Sequence, residues 1–336
     1  MNKYLILCIL IALASVAMSV TIPYPVDSKE YNAYKHSLIG KVIRPEASSP
    51  LSLSGIIPLA YKQQTRTGLL VPYDTGFQLA LSSNDDNYTT ALTIPFAFDF
   101  YGSTQTEFYI NNNGNISFGN PFSTYTSTGF PIDEFPMLAA FWADVDTRNA
   151  ASGQVYYRIE PTRVTILWNG VGYYSNHADK INTFEVIFTN GLDPLIEIGN
   201  NVAFSYGDMQ WTTGSASGGT NGFGGIPATV GLNKGDGVHY GLIGRFDHEG
   251  SDYNGPGGTA SGISYLDNQL FTFNTMLGNS IPPIFTGVPS AETILQAGES
   301  ITINISALSP NPLNFVNAMV HYPSLSGFDV SIIPGN

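Results

Sequence analysis

A long succession of short, strand-like segments constrains the fold of this chain more than any other feature. Residues 94–101 place aromatic side chains at every second position, and residues 137–145 form a nearly continuous apolar run. Alternation with a period of two is typical of half-buried strands, and short apolar runs are typical of strands buried on both faces. Because no stretch shows a capped period of 3.6 residues, the pattern predicts an all-β chain built as a β-sandwich.

Turn sequences between these segments predict β-hairpins. The clearest joins residues 107–110 to residues 116–118 across Asn113-Gly114, a pair that tolerates positive φ. A Gly/Ser-rich stretch at 214–225 is interpreted as a long surface loop. The other predicted hairpins are 154–160 with 163–168 and 183–189 with 195–198, and further strands are predicted at 202–206, 228–232, 238–246 and 270–273.

The N-terminus has the pattern of a signal peptide. Lys3 precedes an apolar run at 4–16, which is too short to span a membrane, and small residues allow cleavage after Ser19. The only cysteine, Cys8, lies within this run. We therefore expect a secreted, extracellular protein whose mature chain has no disulfide and no transmembrane segment.

The charge balance excludes one class of partner. The formal net charge is −13, and the 13 basic residues form no run. Nucleic-acid binding requires clustered Lys and Arg that neutralise phosphates. We therefore expect no nucleic-acid partner.

Changes in composition divide the chain. Proline interrupts the segment before residue 70, and Pro282-Pro283 marks a second change. Beyond it, Ile301 and Ile303 share one face of a half-buried strand, but too few residues follow for a complete immunoglobulin-type domain of ~100 residues. The predicted units are a signal peptide at 1–19, a lead-in segment at 20–70, a β-sandwich domain at 71–275 and a partial immunoglobulin-like β module at 284–336.

Several segments of the central domain together carry a family resemblance. Residues 137–147, which read MLAAFWADVDT, form an apolar run that ends in Phe-Trp-Ala-Asp-x-Asp. Residues 108–119 read as a strand, an Asn-Gly turn and a second strand that ends in Phe-Gly. The remaining segments, in order along the chain, are 153–158, 182–186, 206 with 209–214, and 228–237.

This ordered set resembles the nidogen-like (NIDO) domain of extracellular adhesion proteins, over roughly residues 70–275. The resemblance implies cell–matrix or cell–cell adhesion through an extracellular matrix or cell-surface protein. It supplies no catalytic residues. Animal proteins of this family usually continue into cysteine-rich modules, whereas residues 276–336 of this sequence contain no cysteine.

Asp144 and Asp146 are the strongest candidates for a metal-binding site. They alternate at the end of an apolar strand, so both carboxylates are expected on one face. With Asn149 nearby, they offer the oxygen ligands that Ca²⁺ prefers. The alternative is that these carboxylates accept hydrogen bonds from backbone N–H groups of a turn. Otherwise, no cofactor is expected.

The sequence favours a protein that is not an enzyme. Its five histidines are dispersed at no metal-binding spacing, and it has no Gly-x-Ser-x-Gly elbow. A secreted hydrolase is the least favoured alternative. A carbohydrate-binding, lectin-like module is the main one, because Trp168 and Trp211 lie beside polar loops and could stack on sugar rings.

Three Asn-x-Ser/Thr sequons complete the candidate sites. In a eukaryotic secretory pathway they would make the chain a glycoprotein. The acceptor residues are Asn87, Asn115 and Asn304.

Overall fold

The computed structural model describes residues 24–41 and 61–276, together with the backbone of two short strands, Ile284–Thr286 and Ser306–Leu308. These two strands pair in antiparallel fashion. The predicted signal peptide 1–19, the sequon at Asn304 and most of the predicted module at 284–336 lie outside the described residues.

The described chain is mostly strand, which confirms the all-β prediction. It begins with helix α1, Lys29–His36. Short 3-10 helices lie at Ser215–Ser217 and Ile263–Leu266. The strands are β1 Tyr61–Thr65, β2 Gln78–Leu79, β3 Leu92–Phe100, β4 Ser103–Asn111, β5 Asn115–Ser117, β6 Met137–Trp142, β7 Val145–Asp146, β8 Gln154–Ile159, β9 Arg163–Tyr173, β10 His177–Thr189, β11 Val202–Met209, β12 Ala228–Asn233, β13 Tyr240–His248, β14 Ser261–Gly262, β15 Gln269–Phe273, β16 Ile284–Thr286 and β17 Ser306–Leu308.

Two sheets pack face to face. The first has the order β1-β15-β11-β10-β9-β8-β2, with β7 also paired to β9, and the second has the order β14-β13-β12-β6-β5-β4-β3. Within both sheets the pairing is antiparallel except between β13 and β14. Aromatic side chains fill the space between the sheets: the ring centroids of Phe98 and Phe188 are 4.8 Å apart, and those of Phe141 and Phe184 are 5.6 Å apart.

The predicted hairpin between β4 and β5 is confirmed. Its turn residue Gly114 has φ +76°, and a Cβ atom there would overlap the carbonyl oxygen of Phe141. The backbone N–H of Phe141 donates to the oxygen of Gly114 at 3.0 Å. The glycine is therefore required both by its backbone conformation and by this close approach.

The structure corrects three local predictions. Residues 195–198 are not a strand; β10 pairs instead with β11, with Phe184 opposite Tyr206. Helix α1 forms in a segment where no helix was predicted. Part of the Gly-rich stretch 214–225 is buried rather than exposed, because Gly214 has no side chain and lets the backbone pack directly against the carboxylate of Asp144.

Candidate functional site

Helix α1 begins with a local cap and presents one face to the sandwich. The Ser28 side-chain oxygen accepts a hydrogen bond from the backbone N–H of Tyr31 at 3.1 Å, which satisfies one of the free donors of the first turn. Tyr31 and Lys35 are four residues apart, so they share a face of the helix. They are also the two buried residues of the segment 24–41.

Lys35 is fully buried among three carboxylates. Its Nζ atom lies 2.6 Å from Oδ2 of Asp86, 2.7 Å from Oδ1 of Asp144 and 3.0 Å from Oδ1 of Asp85, and all four side chains are inaccessible to solvent. A lysine ammonium has three donors and no acceptor. The ammonium of Lys35 donates hydrogen bonds to Asp86 and Asp144, whereas its contact with Asp85 is an ion pair without a hydrogen bond.

Two tyrosine rings complete the surroundings of the ammonium. Nζ of Lys35 lies 4.1 Å from the ring centroid of Tyr125 and 4.2 Å from that of Tyr174, within the range of cation–π attraction. We call the three aspartates and these two tyrosines the lysine cage. All five belong to the sandwich and its loops rather than to helix α1.

Polar contacts within the sandwich hold the aspartates in place. The Asn113 side-chain amide donates to Oδ1 of Asp86 at 2.8 Å, and Asn112 donates to the backbone oxygens of Asp85 and Val145. The carbonyl oxygen of Asp144 accepts from the backbone N–H of Tyr174 at 3.1 Å. The turn between β4 and β5 therefore organises carboxylates that come from two distant parts of the chain.

A second cation covers the outer side of the cage. Arg148 binds Asp146 through two hydrogen bonds of 2.8 and 2.6 Å, and its guanidinium lies 3.3 Å from Oδ2 of Asp85. It also donates to the side-chain oxygen of Asn32 on helix α1 at 3.0 Å. A shallow surface pocket adjoins this contact, lined by Asn32, His36, Arg148, Tyr174, Ser175 and Asn176.

Electrostatics favour a charged lysine in this environment. Burial alone would lower the pKa of Lys35, but the surrounding carboxylates outweigh it and raise this pKa well above its ordinary value. Burial raises the pKa of Asp144 to about 7, although the ammonium acts in the opposite direction. Burial and the neighbouring Asp86 raise the pKa of Asp85 well above its usual range. The cage therefore favours the protonated form of Lys35, and Asp85 and Asp144 hold protons more readily than exposed carboxylates do.

Comparison with known protein families assigns this β-sandwich to a family. The NIDO-related family model matches residues 60–256. The chain belongs to the NIDO-related family. The match confirms the resemblance noted in the sequence, and it begins close to β1, within the segment predicted as a lead-in.

Curated relatives of the NIDO-related chain are α-tectorin and nidogen, both extracellular matrix proteins. Human α-tectorin is 30% identical over 181 residues, which cover 45% of this chain and 8% of α-tectorin. Nidogen of Drosophila melanogaster is 26% identical over 245 residues, or 62% of this chain and 18% of nidogen. Mouse nidogen-2 is 36% identical over 115 residues, or 33% of this chain and 8% of nidogen-2. The chain thus spans less than a fifth of each relative, and no solved structure matches it.

In the NIDO-related domain, the three residues predicted to bind calcium each have a different partner. Asp144 contacts Lys35, whereas Asp146 binds Arg148. The Asn149 side chain donates to the carbonyl oxygen of Asn176 at 2.7 Å and accepts from a nearby backbone N–H. The calcium site stays a prediction.

Sequence reasoning missed the other two carboxylates of the cage. The oxygens of Asp144, Asp85 and Asp86 lie within 4.8 Å of one another, at the position that Lys35 fills. The adjacent pair Asp85-Asp86, flanked by asparagines, was the available signal.

The aromatic and glycosylation candidates differ in accessibility. Trp168 and Trp211 are fully buried, so neither is available to stack on a sugar ring. Asn87 is exposed, whereas Asn115 is buried, with its side-chain oxygen accepting from Asn111 and its amide donating to the carbonyl oxygen of Asn113.

Among the described residues, no helix has the length and apolar character needed to cross a bilayer.

Proposed function

We propose that this chain is a secreted extracellular module that mediates cell–matrix or cell–cell contact by binding a protein. The observation that carries the proposal is membership of the NIDO-related family, which it shares with regions of nidogen and α-tectorin. Because the chain corresponds to only part of those proteins, adhesion is assigned to this domain as a hypothesis to be tested on the domain itself.

The accessibility of the unusual titratable groups supports a role other than catalysis. Perturbed carboxylates often mark active sites. Here, Asp85 and Asp144 lie in the lysine cage beneath helix α1, where both side chains are inaccessible and already paired with an ammonium. With helix α1 docked, neither carboxylate is accessible to a substrate.

The loop between β10 and β11 offers an exposed apolar surface for a protein partner. Leu192 and Ile198 are 69% and 67% exposed. The backbone N–H of Gly199 donates to the oxygen of Gly191 at 3.1 Å, so the chain neighbours of the two apolar residues are joined across the loop. Ile196 anchors the loop by packing inward against the outer face of the first sheet. We propose that this surface contacts an apolar patch on an extracellular protein.

The experiment is binding of the full chain to an array of purified matrix proteins and cell-surface ectodomains. The double variant Leu192→Asp/Ile198→Asp is expected to weaken binding to the selected protein at least about 10-fold, because each buried apolar side chain contributes ~1.5–3 kcal/mol. Leu79→Asp is the matched control, since Leu79 is also exposed, at 52%, but lies on β2 at the end of the first sheet.

The same array distinguishes the alternatives. Binding that a free sugar competes, and that the loop variant leaves unchanged, would favour the carbohydrate-binding function instead. Equal binding by the control and the loop variant, without competition by sugar, would place the protein contact elsewhere on the domain. Failure to bind any protein or glycan would contradict the adhesive function.

A further inference from the structure

The segment 24–41 is attached to the sandwich mainly through polar contacts. Its buried residues are Tyr31 and Lys35, and the remainder is exposed or half-buried. The Tyr31 hydroxyl donates to Oδ2 of Asp86 at 2.7 Å, and Leu38 packs at the edge of a small cluster with Tyr125 and Tyr174. An element of the hydrophobic core would bury an apolar stripe along its length. Helix α1 instead buries one ammonium and one phenol, and both contact Asp86.

The aspartates that contact Lys35 are held in place by residues of the sandwich and not by helix α1. The sandwich residues Asn112 and Asn113 hold the segment that carries Asp85 and Asp86, and Asp144 lies two residues after the end of β6. With Lys35 docked, Oδ2 of Asp144, which lies against Gly214, and both oxygens of Asp85 have no hydrogen-bond partner although they are buried. The contacts that position the three aspartates are therefore made within the sandwich, and Lys35 of helix α1 supplies the one ammonium that touches all three.

The arrangement of the three carboxylates favours a lysine over an arginine. Three oxygens from three different aspartates converge on one point, which suits the compact charge of an ammonium. A guanidinium is planar and prefers two oxygens of the same carboxylate, as Arg148 shows with Asp146 just outside the cage. The same domain thus contains both modes of cation recognition side by side.

We propose that the lysine cage is a binding site for the primary ammonium of a lysine on a short helix, and that residues 24–41 are its tethered ligand. The segment docks and leaves while the sandwich stays folded. The covalent connection runs through residues 42–60, so the ligand remains at high local concentration. The site differs from the apolar loop proposed above to contact a protein partner and does not depend on it.

The experiment separates ligand from receptor in the full chain. A protease recognition sequence is inserted within residues 42–60, and the folded protein is cut to completion. A fluorescent synthetic peptide of residues 24–41 is then titrated into the cut protein, and anisotropy measures its binding. Two peptides carry norleucine, a neutral chain of similar shape, in place of lysine: one at Lys35 and, as the matched control, one at the exposed Lys29 of the same helix.

We expect the wild-type peptide to exchange with the cut segment and the Lys35→norleucine peptide to bind at least about 30-fold more weakly. The Lys29→norleucine peptide should bind within about 2-fold of wild type. The fluorescence of the buried tryptophans should stay unchanged when the segment leaves. Equal binding of the two norleucine peptides, failure of the wild-type peptide to exchange, or loss of the folded tryptophan signal would each overturn the proposal.

Discussion

Nζ of Lys35 lies 2.7 Å from Oδ1 of Asp144, although the two residues are 109 positions apart and neither side chain is accessible to solvent. A buried charge is tolerated only when it is paired and hydrogen-bonded. This pair therefore links the position of helix α1 to that of the strand end at β6. Removing either partner is expected to affect the docking of the helix before it affects the two sheets.

Substitution Lys35→Met is expected to release helix α1. The methionine fills the space but leaves Asp86 and Asp144 without their cation and Asp85 with Arg148 alone, and removing one partner of a buried ion pair is strongly destabilising. Hydrogen exchange should show at least about 30-fold less protection of the amides of helix α1, with protection of β9 and β10 retained. Lys29→Met, on the exposed side of the same helix, is the control and should leave both unchanged. Full protection of the helix in the Lys35 variant would show that apolar packing suffices to hold it.

Substitution Gly114→Ala is expected to destabilise the sandwich. Position 114 has φ +76°, and the added Cβ would overlap the carbonyl oxygen of Phe141. Gly119→Ala is the matched control, since Gly119 also has positive φ, at +91°, but has open space around it. Urea denaturation should give a loss for Gly114→Ala that exceeds that for Gly119→Ala by about 2 kcal/mol or more. Similar losses would mean that backbone conformation alone requires the glycine.

The strands were predictable from the sequence because each depends on a local pattern. The alternation in residues 94–101 corresponds to β3, and the turn at Asn113-Gly114 lies where predicted. The predicted strand at 195–198 was wrong because an apolar stretch can also anchor a loop: Ile196 is buried there without pairing to a neighbouring strand. Burial, rather than strand geometry, explains that apolar pattern.

The lysine cage could not be predicted in the same way. Helix α1 is only eight residues long, so it offers too few turns for a periodic signal, although Ser28 is a recognisable cap. Its partners Asp86 and Asp144 are 51 and 109 residues away from Lys35. A lysine in a short polar segment is usually exposed, and only the tertiary fold shows that this one is buried.

Chelation tests the calcium site predicted from the sequence. A bound ion at Asp144, Asp146 and Asn149 would make EDTA lower the melting temperature. We expect the melting temperature to be the same in calcium and in EDTA, because Lys35 and Arg148 already pair with the two carboxylates. Differential scanning calorimetry in both buffers measures this. A clear decrease in EDTA would support the calcium site and would require these cations to move.

Glycosylation should distinguish the two described sequons. When the chain is secreted from eukaryotic cells, we expect a glycan on Asn87, which is exposed, and none on Asn115, whose side chain is buried and hydrogen-bonded at both ends. Mass spectrometry of tryptic peptides measures occupancy, and Asn87→Gln should remove the corresponding mass. A folded, secreted protein with a glycan on Asn115 would contradict the position of this residue in the core.

Glu185 should make stability depend on pH. Burial raises its pKa to about 8, although the backbone N–H of Val71 donates to the carboxylate at 3.2 Å and acts in the opposite direction. The folded state therefore binds more protons than the unfolded state between about pH 5 and 8. Consequently, the free energy of unfolding should fall as the pH rises through this range.

The variant Glu185→Gln isolates this contribution because glutamine keeps the shape and does not ionise. Relative to the variant, the wild type should lose up to about 1.4 kcal/mol of stability for each pH unit between about 5 and 8, and little below or above that range. Urea denaturation at several pH values measures the difference. Glu197→Gln is the control, because the side chain of Glu197 is 60% exposed beside Lys62. A constant difference between wild type and Glu185→Gln across this range would mean that Glu185 ionises in the folded protein as readily as it does in water.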